Sequence, residues 1–179
     1  MKLDQTKKAL TTFAKNVVKK SRANLRKKSA TGNLKHSVDY ELDVFPNSFA
    51  LEFWMLDYGR FQDAGVDGKK KKWGARKYGA ETYSYTTKMP PPKALDSWVV
   101  KRGLAPRNKK GQFKGRSIST VGFQQSITFL IARHIFMKGL KPSYFFSKPF
   151  QEEFDKLPRE LVDKYGLDID KFLDSIIDL

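Results

Sequence analysis

Apolar positions recur at three- and four-residue steps through Leu3, Leu10, Phe13, Ala14, Val17, Val18 and Leu25, with Ser21 in the same register. This spacing predicts a long amphipathic helix over residues 3–28. Lys7, Lys8, Lys15, Lys19, Lys20, Arg22 and Lys27 fall mostly off the stripe. They suit solvation and the negative end of the helix dipole; contact with an acidic partner or DNA is the alternative. Gly32 is a suitable stop or turn residue. From Leu34 the period changes to two. Leu34, His36, Val38, Tyr40, Leu42 and Val44 alternate with Lys35, Ser37, Asp39, Glu41 and Asp43, the pattern of a half-buried strand. Phe45 to Ser48 has turn chemistry, and Phe49, Leu51, Phe53 and Met55 then alternate with Ala50, Glu52 and Trp54. The two runs predict an antiparallel hairpin. A lone hairpin is marginal in water, so it must pack on the first helix, join more strands or pair with a neighbouring subunit.

Periodicity is lost over residues 66–92. Lys69, Lys70, Lys71, Lys72, Trp73, Arg76, Lys77 and Tyr78 lie in a glycine-rich stretch, followed by a short strand-like alternation at Tyr83 and Tyr85. Three prolines, Pro90 to Pro92, close it as a stiff spacer. Loops this long are usually functional or disordered, and the stretch is expected to be an extended basic arm. A short helix follows around Ala94, Leu95, Trp98 and Val99. A second basic loop contains Arg107, Lys109, Lys110 and Phe113. The strongly apolar run from Val121 to Ile135 predicts the buried central helix, capped by Ser119 or Thr120 and stopping near Gly139. A final helical region passes through Phe150, Phe154 and Leu157, breaks near Pro158, and ends in an acidic segment within 150–179.

The expected architecture is a single α+β domain over 1–179. A long N-terminal amphipathic helix packs on a small antiparallel sheet, with a long basic loop at 66–92 and C-terminal helices. Charge sharpens this picture. The net charge is +16, but residues 31–59 carry one basic and five acidic side chains, residues 60–120 sixteen basic and four acidic, and residues 150–179 four basic and nine acidic. This is a basic middle and an acidic tail, whose segments are expected to pair with adjacent copies or neighbouring proteins. Opposite signs at separate places suit a subunit that docks onto copies of itself or onto neighbouring proteins. The chain has no cysteine, which removes disulfides and thiolate metal sites and suits a reducing cytoplasm. No apolar run reaches transmembrane length, and the first residues lack the apolar core of a signal peptide.

Candidate chemistry is sparse. His36 and His134 have no Asp, Glu or Cys at metal-ligand spacing and are read as structural. No serine lies in a nucleophile turn, and no Gly-Lys-Ser/Thr follows the glycines of the second basic loop. The expectation is a protein that is not an enzyme, with no catalytic residue, metal or cofactor. Contacts are expected instead from Tyr58, Phe61, Lys69, Lys70, Lys71, Lys72, Trp73, Arg76, Lys77, Tyr78, Arg107, Lys109, Lys110 and Phe113. Lysine and arginine beside aromatics also suit phosphate neutralisation and base stacking, so a nucleic-acid-binding accessory protein is the alternative.

Three ordered segments carry a family resemblance: Ala30-Thr31-Gly32-Asn33-Leu34-x-x-Ser37-Val38 after a basic helix end; Asp57-Tyr58-Gly59-x-Phe61-x-Asp63-x-Gly65 after the hairpin; and Gly139-Leu140-Lys141-Pro142-Ser143-Tyr144-Phe145-Phe146 before the last helix. In this order they resemble the tail-completion, or neck, proteins of tailed bacteriophages, the small connectors of the head–tail junction. The run Arg107 to Phe113 is similar to a loop in larger members from phages of Bacteroidetes hosts. The resemblance implies an α+β virion protein that forms a homo-oligomeric ring, six- or twelve-fold, in the neck. Its implied partners are a portal-side adaptor or stopper on one face and tail proteins on the other, with non-specific DNA contact in the channel and no membrane. A tail-terminator subunit of the same neck is a further alternative. On this reading, removal of residues 67–90 leaves the subunit folded and impairs docking.

Overall fold

The computed structural model describes residues 3–26, 32–45, 48–102, 104, 120–159 and 161. The fold is α+β. It contains α1 (Leu3–Leu25), α2 (Asn33–Ser37), β1 (Asp39–Val44), β2 (Phe49–Trp54), α3 (Tyr58–Ala64), β3 (Val66–Asp67), β4 (Tyr83–Ser84), a 3-10 turn (Pro92–Leu95), α4 (Asp96–Lys101), α5 (Thr120–Lys138), β5 (Gly139–Leu140) and α6 (Ser147–Phe154).

The stripe on α1 does what its spacing dictates. Leu10, Phe13, Ala14, Val17, Val18, Ser21 and Leu25 are buried, and Lys7, Lys8, Lys15 and Lys19 are exposed. Its partners are α6, β1 and α2. Phe13 meets Phe53, Phe150 and Phe154 edge-on, with ring centroids 6.1, 5.3 and 6.3 Å away. Phe146 joins them 5.4 Å from Phe53. Each such ring contributes about 1.5–3 kcal/mol through burial, plus roughly 0.5–1.5 kcal/mol where edge-to-face geometry is met. This aromatic cluster fastens the hairpin and the C-terminal helix to the N-terminal one.

The hairpin forms as the alternation predicts, antiparallel, with Tyr40 opposite Phe53 and Val44 opposite Phe49. The strand begins late. Residues 34–37, read as its start, lie in the short helix α2 (Asn33–Ser37), so His36 lies on a helix and not in strand register. Gly32, at a φ of +76°, turns the chain into it. Leu34 and Val38 remain buried, because a four-residue helical step returns them to the same face as the two-residue alternation would have.

The apolar run at α5 is not the central helix. Phe129 and Leu130 are 48% and 56% exposed, while Thr128 and Ala132 are buried. Its apolar residues are spread around the helix, so no one stripe can be covered at once. The helix packs on the 3-10 turn, α4 and β5, and the central place belongs to α1. A second sheet, of mixed sense, has strand order β4-β3-β5, with β4 parallel and β5 antiparallel to β3. It joins the α4–α5 unit to the rest. Among the described residues no helix is long and apolar enough to cross a membrane.

One ion cluster ties the two ends of the core together. Glu153 on α6 has a side chain 5% exposed and takes Lys20 at 2.7 Å, Lys156 at 2.6 Å and the Asn16 amide at 3.0 Å. Burial pushes its carboxyl up, but the hydrogen bonds from Lys156, Lys20 and Asn16 and the Lys20 charge outweigh it, bringing it down to about 2. The folded-state value lies below the unfolded one. The contribution is therefore complete at neutral pH and is lost as pH falls from the ordinary carboxylate range through about 2. Glu153→Gln is expected to lower unfolding free energy by about 1–3 kcal/mol at pH 7. It should also flatten the acid limb of a urea-denaturation series; an unchanged acid limb would assign that pH dependence to other groups.

Candidate assembly surface

The three segments that carry the resemblance meet. Ser37 of the first donates its hydroxyl to the Leu34 carbonyl at 3.0 Å and accepts the N–H of Leu56, one residue before the second, at 3.1 Å. Asp63 of the second is buried. Its carboxylate accepts the N–H of Phe146 at 2.7 Å and lies 3.4 Å from that of Ser147, so it caps the start of α6. Its carbonyl accepts from Ser143 and Tyr144, both at 3.0 Å. Gly65 has a φ of +73°, and a Cβ there would lie 2.6 Å from the Leu140 carbonyl oxygen. An aspartate and a glycine two residues apart thus hold the third segment against the second.

The basic stretch 66–92 is folded back rather than extended. Lys69 and Lys70 donate their N–H groups to the carbonyls of Phe136 and Met137 at the end of α5, both at 2.9 Å. The Gly68 N–H reaches the Lys71 carbonyl at 2.8 Å, and the Tyr85 N–H reaches the Asp67 carbonyl at 2.8 Å. Asp67 is the post to which the loop is tied. Its Oδ1 accepts the Trp73 N–H at 2.9 Å and Arg76 Nη2 at 2.8 Å. Both side chains of the pair are buried, 7% and 2% exposed. Burial raises the carboxyl, but the Arg76 and Trp73 hydrogen bonds and the charges of Arg76 and Lys72 hold it below its ordinary value. Removal of residues 67–90 therefore deletes Asp67, its partners and β4, so it is expected to damage the fold as well as docking.

The expected contact residues divide accordingly. Lys69, Lys70, Lys71, Lys72 and Lys77 are exposed, and Tyr58 is 46% exposed. Lys71 lies over the half-buried Trp73 ring at 4.0 Å. Arg76 is turned inward and positions the loop, so it offers no contact surface. Tyr78 is half-buried, packs on Tyr144 at 5.3 Å, and holds a positive φ of 59°. The Lys77 N–H donates to the Tyr144 hydroxyl at 3.2 Å. Phe61 is half-buried, 4.6 Å from Tyr83. Burial first, and then a hydrogen bond to Glu81, push the Tyr83 hydroxyl up to about 12, so it stays neutral. Arg107, Lys109, Lys110 and Phe113 lie outside the described residues, as does most of the acidic segment.

A cavity of about 70 Å³ lies between α3 and the loop, lined by Met55, Arg60, Asp63, Tyr78, Tyr83 and Ser147. That is far below the roughly 300–1,000 Å³ of a metabolite site. An open groove of about 390 Å³ runs between α1 and the end of α6, where the carboxylate of Glu153 is already occupied. Among the described residues no three His, Asp or Glu side chains gather as a metal set. No family model, curated protein or solved structure matches this chain.

Large exposed apolar side chains lie in three places, one of them Val44 and Phe45, 39% and 49% exposed, at and just after the end of β1. Trp54, Leu56 and Tyr58 are 46%, 40% and 46% exposed where the hairpin runs into α3. Val100, Leu104, Phe129 and Leu130 are 64%, 41%, 48% and 56% exposed on and beside α4 and α5. Exposed apolar side chains that lie together on a surface are candidates for contact. The residues that sequence reasoning missed are Asp63 and Asp67. Asp63 stands in the Asp57 to Gly65 segment with no pattern that signals its burial. Asp67 is the last acidic residue before the lysine run, and only that adjacency signals it.

Proposed function

We propose that this chain is a connector subunit of the head–tail junction of a tailed bacteriophage, a tail-completion protein that closes into a homo-oligomeric ring between portal-side proteins and the tail. The observation that carries the reading is that exposed apolar side chains lie at separate places on the subunit, among them Trp54, Leu56 and Tyr58 after the hairpin and Val100, Leu104, Phe129 and Leu130 on and beside α4 and α5. Two different patches on one subunit suit head-to-tail contacts, which form rings when the rotation closes. The meeting of the Ser37, Asp63 and Phe146 segments supports it further, because the motifs of the resemblance form one framework. The ring would work by shape and charge, with no bond-making step.

Sedimentation velocity on the purified full chain tests the reading. A single large species of fixed stoichiometry is expected at micromolar concentration, and a monomer at every concentration would overturn it. The pair Leu130→Glu and Phe129→Ser is expected to shift that species toward smaller ones with the fold retained, since both side chains face solvent in the single subunit.

A second reading, a nucleic-acid-binding accessory protein, is favoured by the exposed Lys69 to Lys72 beside Trp73. It requires the logarithm of DNA affinity to fall steeply with the logarithm of salt, and binding to persist at physiological ionic strength.

A further inference from the structure

The outer face of the hairpin is acidic, and among the described residues its carboxylates make a single ion pair, Asp39 with Arg22. Asp39, Glu41 and Asp43 alternate along β1, and all are exposed. On β2, Glu52 stands directly opposite Glu41, and Trp54 stands opposite Asp39. Like charges directly opposite each other destabilise a strand pair. Among the described residues Glu41, Asp43 and Glu52 have no ion-pair partner, and Asp39 reaches only Arg22, at 3.5 Å. A face built this way is relieved by a basic group brought to it.

The same chain carries a matching group. Lys69, Lys70, Lys71 and Lys72 are exposed, and none pairs with a carboxylate among the described residues. Their backbone is fixed by the bonds to Phe136 and Met137 and by the buried Asp67–Arg76 pair. Preorganisation of this kind lowers the ordering cost of docking. Alternate residues along a strand face lie about 7 Å apart, and cross-strand neighbours about 5 Å apart. One lysine-rich turn can therefore span the carboxylates of Glu41, Asp43 and Glu52.

We propose that the acidic outer face of the β1–β2 hairpin is the docking surface for the Lys69–Lys72 turn of a second copy of this chain. The inference rests on the ring-subunit reading and names the polar half of the contact. Because the two surfaces differ, each subunit gives one and receives one, which is the geometry of a head-to-tail ring. Trp54 supplies an apolar anchor at the edge of the acidic face. The occupant of the carboxylates is a neighbouring subunit, and DNA competes only for the lysines.

Charge reversal tests it on the full chain. Glu41→Lys with Glu52→Lys reverses one surface, and Lys70→Glu with Lys71→Glu reverses the other. All four side chains are exposed, and circular dichroism checks that each variant is folded. Sedimentation velocity at low salt should show self-association weakened at least about 100-fold in either variant alone, since like charges then meet across the contact. A one-to-one mixture of the two variants should reassociate, because each reversed surface finds its complement on the other variant. Wild-type oligomers that persist in either variant, or a mixture that stays dissociated, would overturn this inference and leave the ring reading standing. A wild-type chain that does not self-associate would overturn both. Loss of DNA binding without change of oligomer size in the lysine variant would assign the turn to nucleic acid and overturn the inference.

Discussion

Asp67→Ala is expected to cost about 3–5 kcal/mol of folding stability, the usual consequence of removing one partner from a buried ion pair. The Arg76 guanidinium is left 2% exposed with its charge uncompensated, and its Nε already lacks a partner. The Trp73 N–H loses its acceptor as well. The loop that presents Lys69 to Lys72 should loosen, so self-association should fall together with stability. Asp67→Leu with Arg76→Met should recover part of the loss, since apolar groups of similar volume leave no buried charge. Urea denaturation of Asp67→Leu, of Arg76→Met and of the pair gives the coupling energy directly. A loss below about 1 kcal/mol for Asp67→Ala would mean that the pair is solvated and the loop held by other contacts. The folded carboxyl lies below its unfolded value, so the contribution is present at neutral pH and is lost as pH falls below the ordinary carboxylate range.

Gly139→Ala should be nearly as damaging, and Gly74→Ala should not. The two glycines have almost the same backbone angle, φ of +72° and +77°. At Gly139 a Cβ would lie 2.0 Å from the Val66 carbonyl oxygen in β3 and 2.5 Å from the Gly68 nitrogen just after it, both backbone atoms. At Gly74 nothing lies within 4 Å. The left-handed conformation alone costs roughly 1–2 kcal/mol for a residue with a Cβ. Gly74→Ala should show only that cost. Gly139→Ala should add the forced separation of β3 from β5, for a total of about 3 kcal/mol or more on the scale of overpacking. Thermal unfolding of the two variants side by side isolates the close approach from the torsion. Equal losses would show that β3 and β5 are not in the tight register described.

The amphipathic parts of the fold were legible in the sequence because one physical signal dominated each. The stripe from Leu10 to Leu25 could only be a helix, and the alternation from Tyr40 to Phe53 could only be a hairpin. Where two periods agree, the reading failed. Leu34 and Val38 share a face in a strand or a helical turn, so the pattern alone does not separate α2 from strand. The α5 run showed that apolar content alone does not place a helix in the core. Without a stripe it covers only one side, at Thr128 and Ala132, and leaves Phe129 and Leu130 outside. The basic loop misled for a different cause. Its lack of periodicity suggested an arm, but it is held by backbone hydrogen bonds and one buried carboxylate, which leave no periodic trace. Arg76 looked like the lysines beside it and does the opposite work. The acidic hairpin face was visible as a charge imbalance over residues 31–59. Only the register, with Glu41 opposite Glu52, showed that the charge is concentrated on one face.

Those two faces, one acidic and one basic, and the exposed apolar side chains elsewhere on the subunit, lead to one image. Negative-stain imaging of the purified full chain at low ionic strength should show annular particles of uniform diameter with a central opening, and these should fall apart as salt is raised. Open filaments, irregular aggregates or dispersed monomers at every concentration would contradict the account.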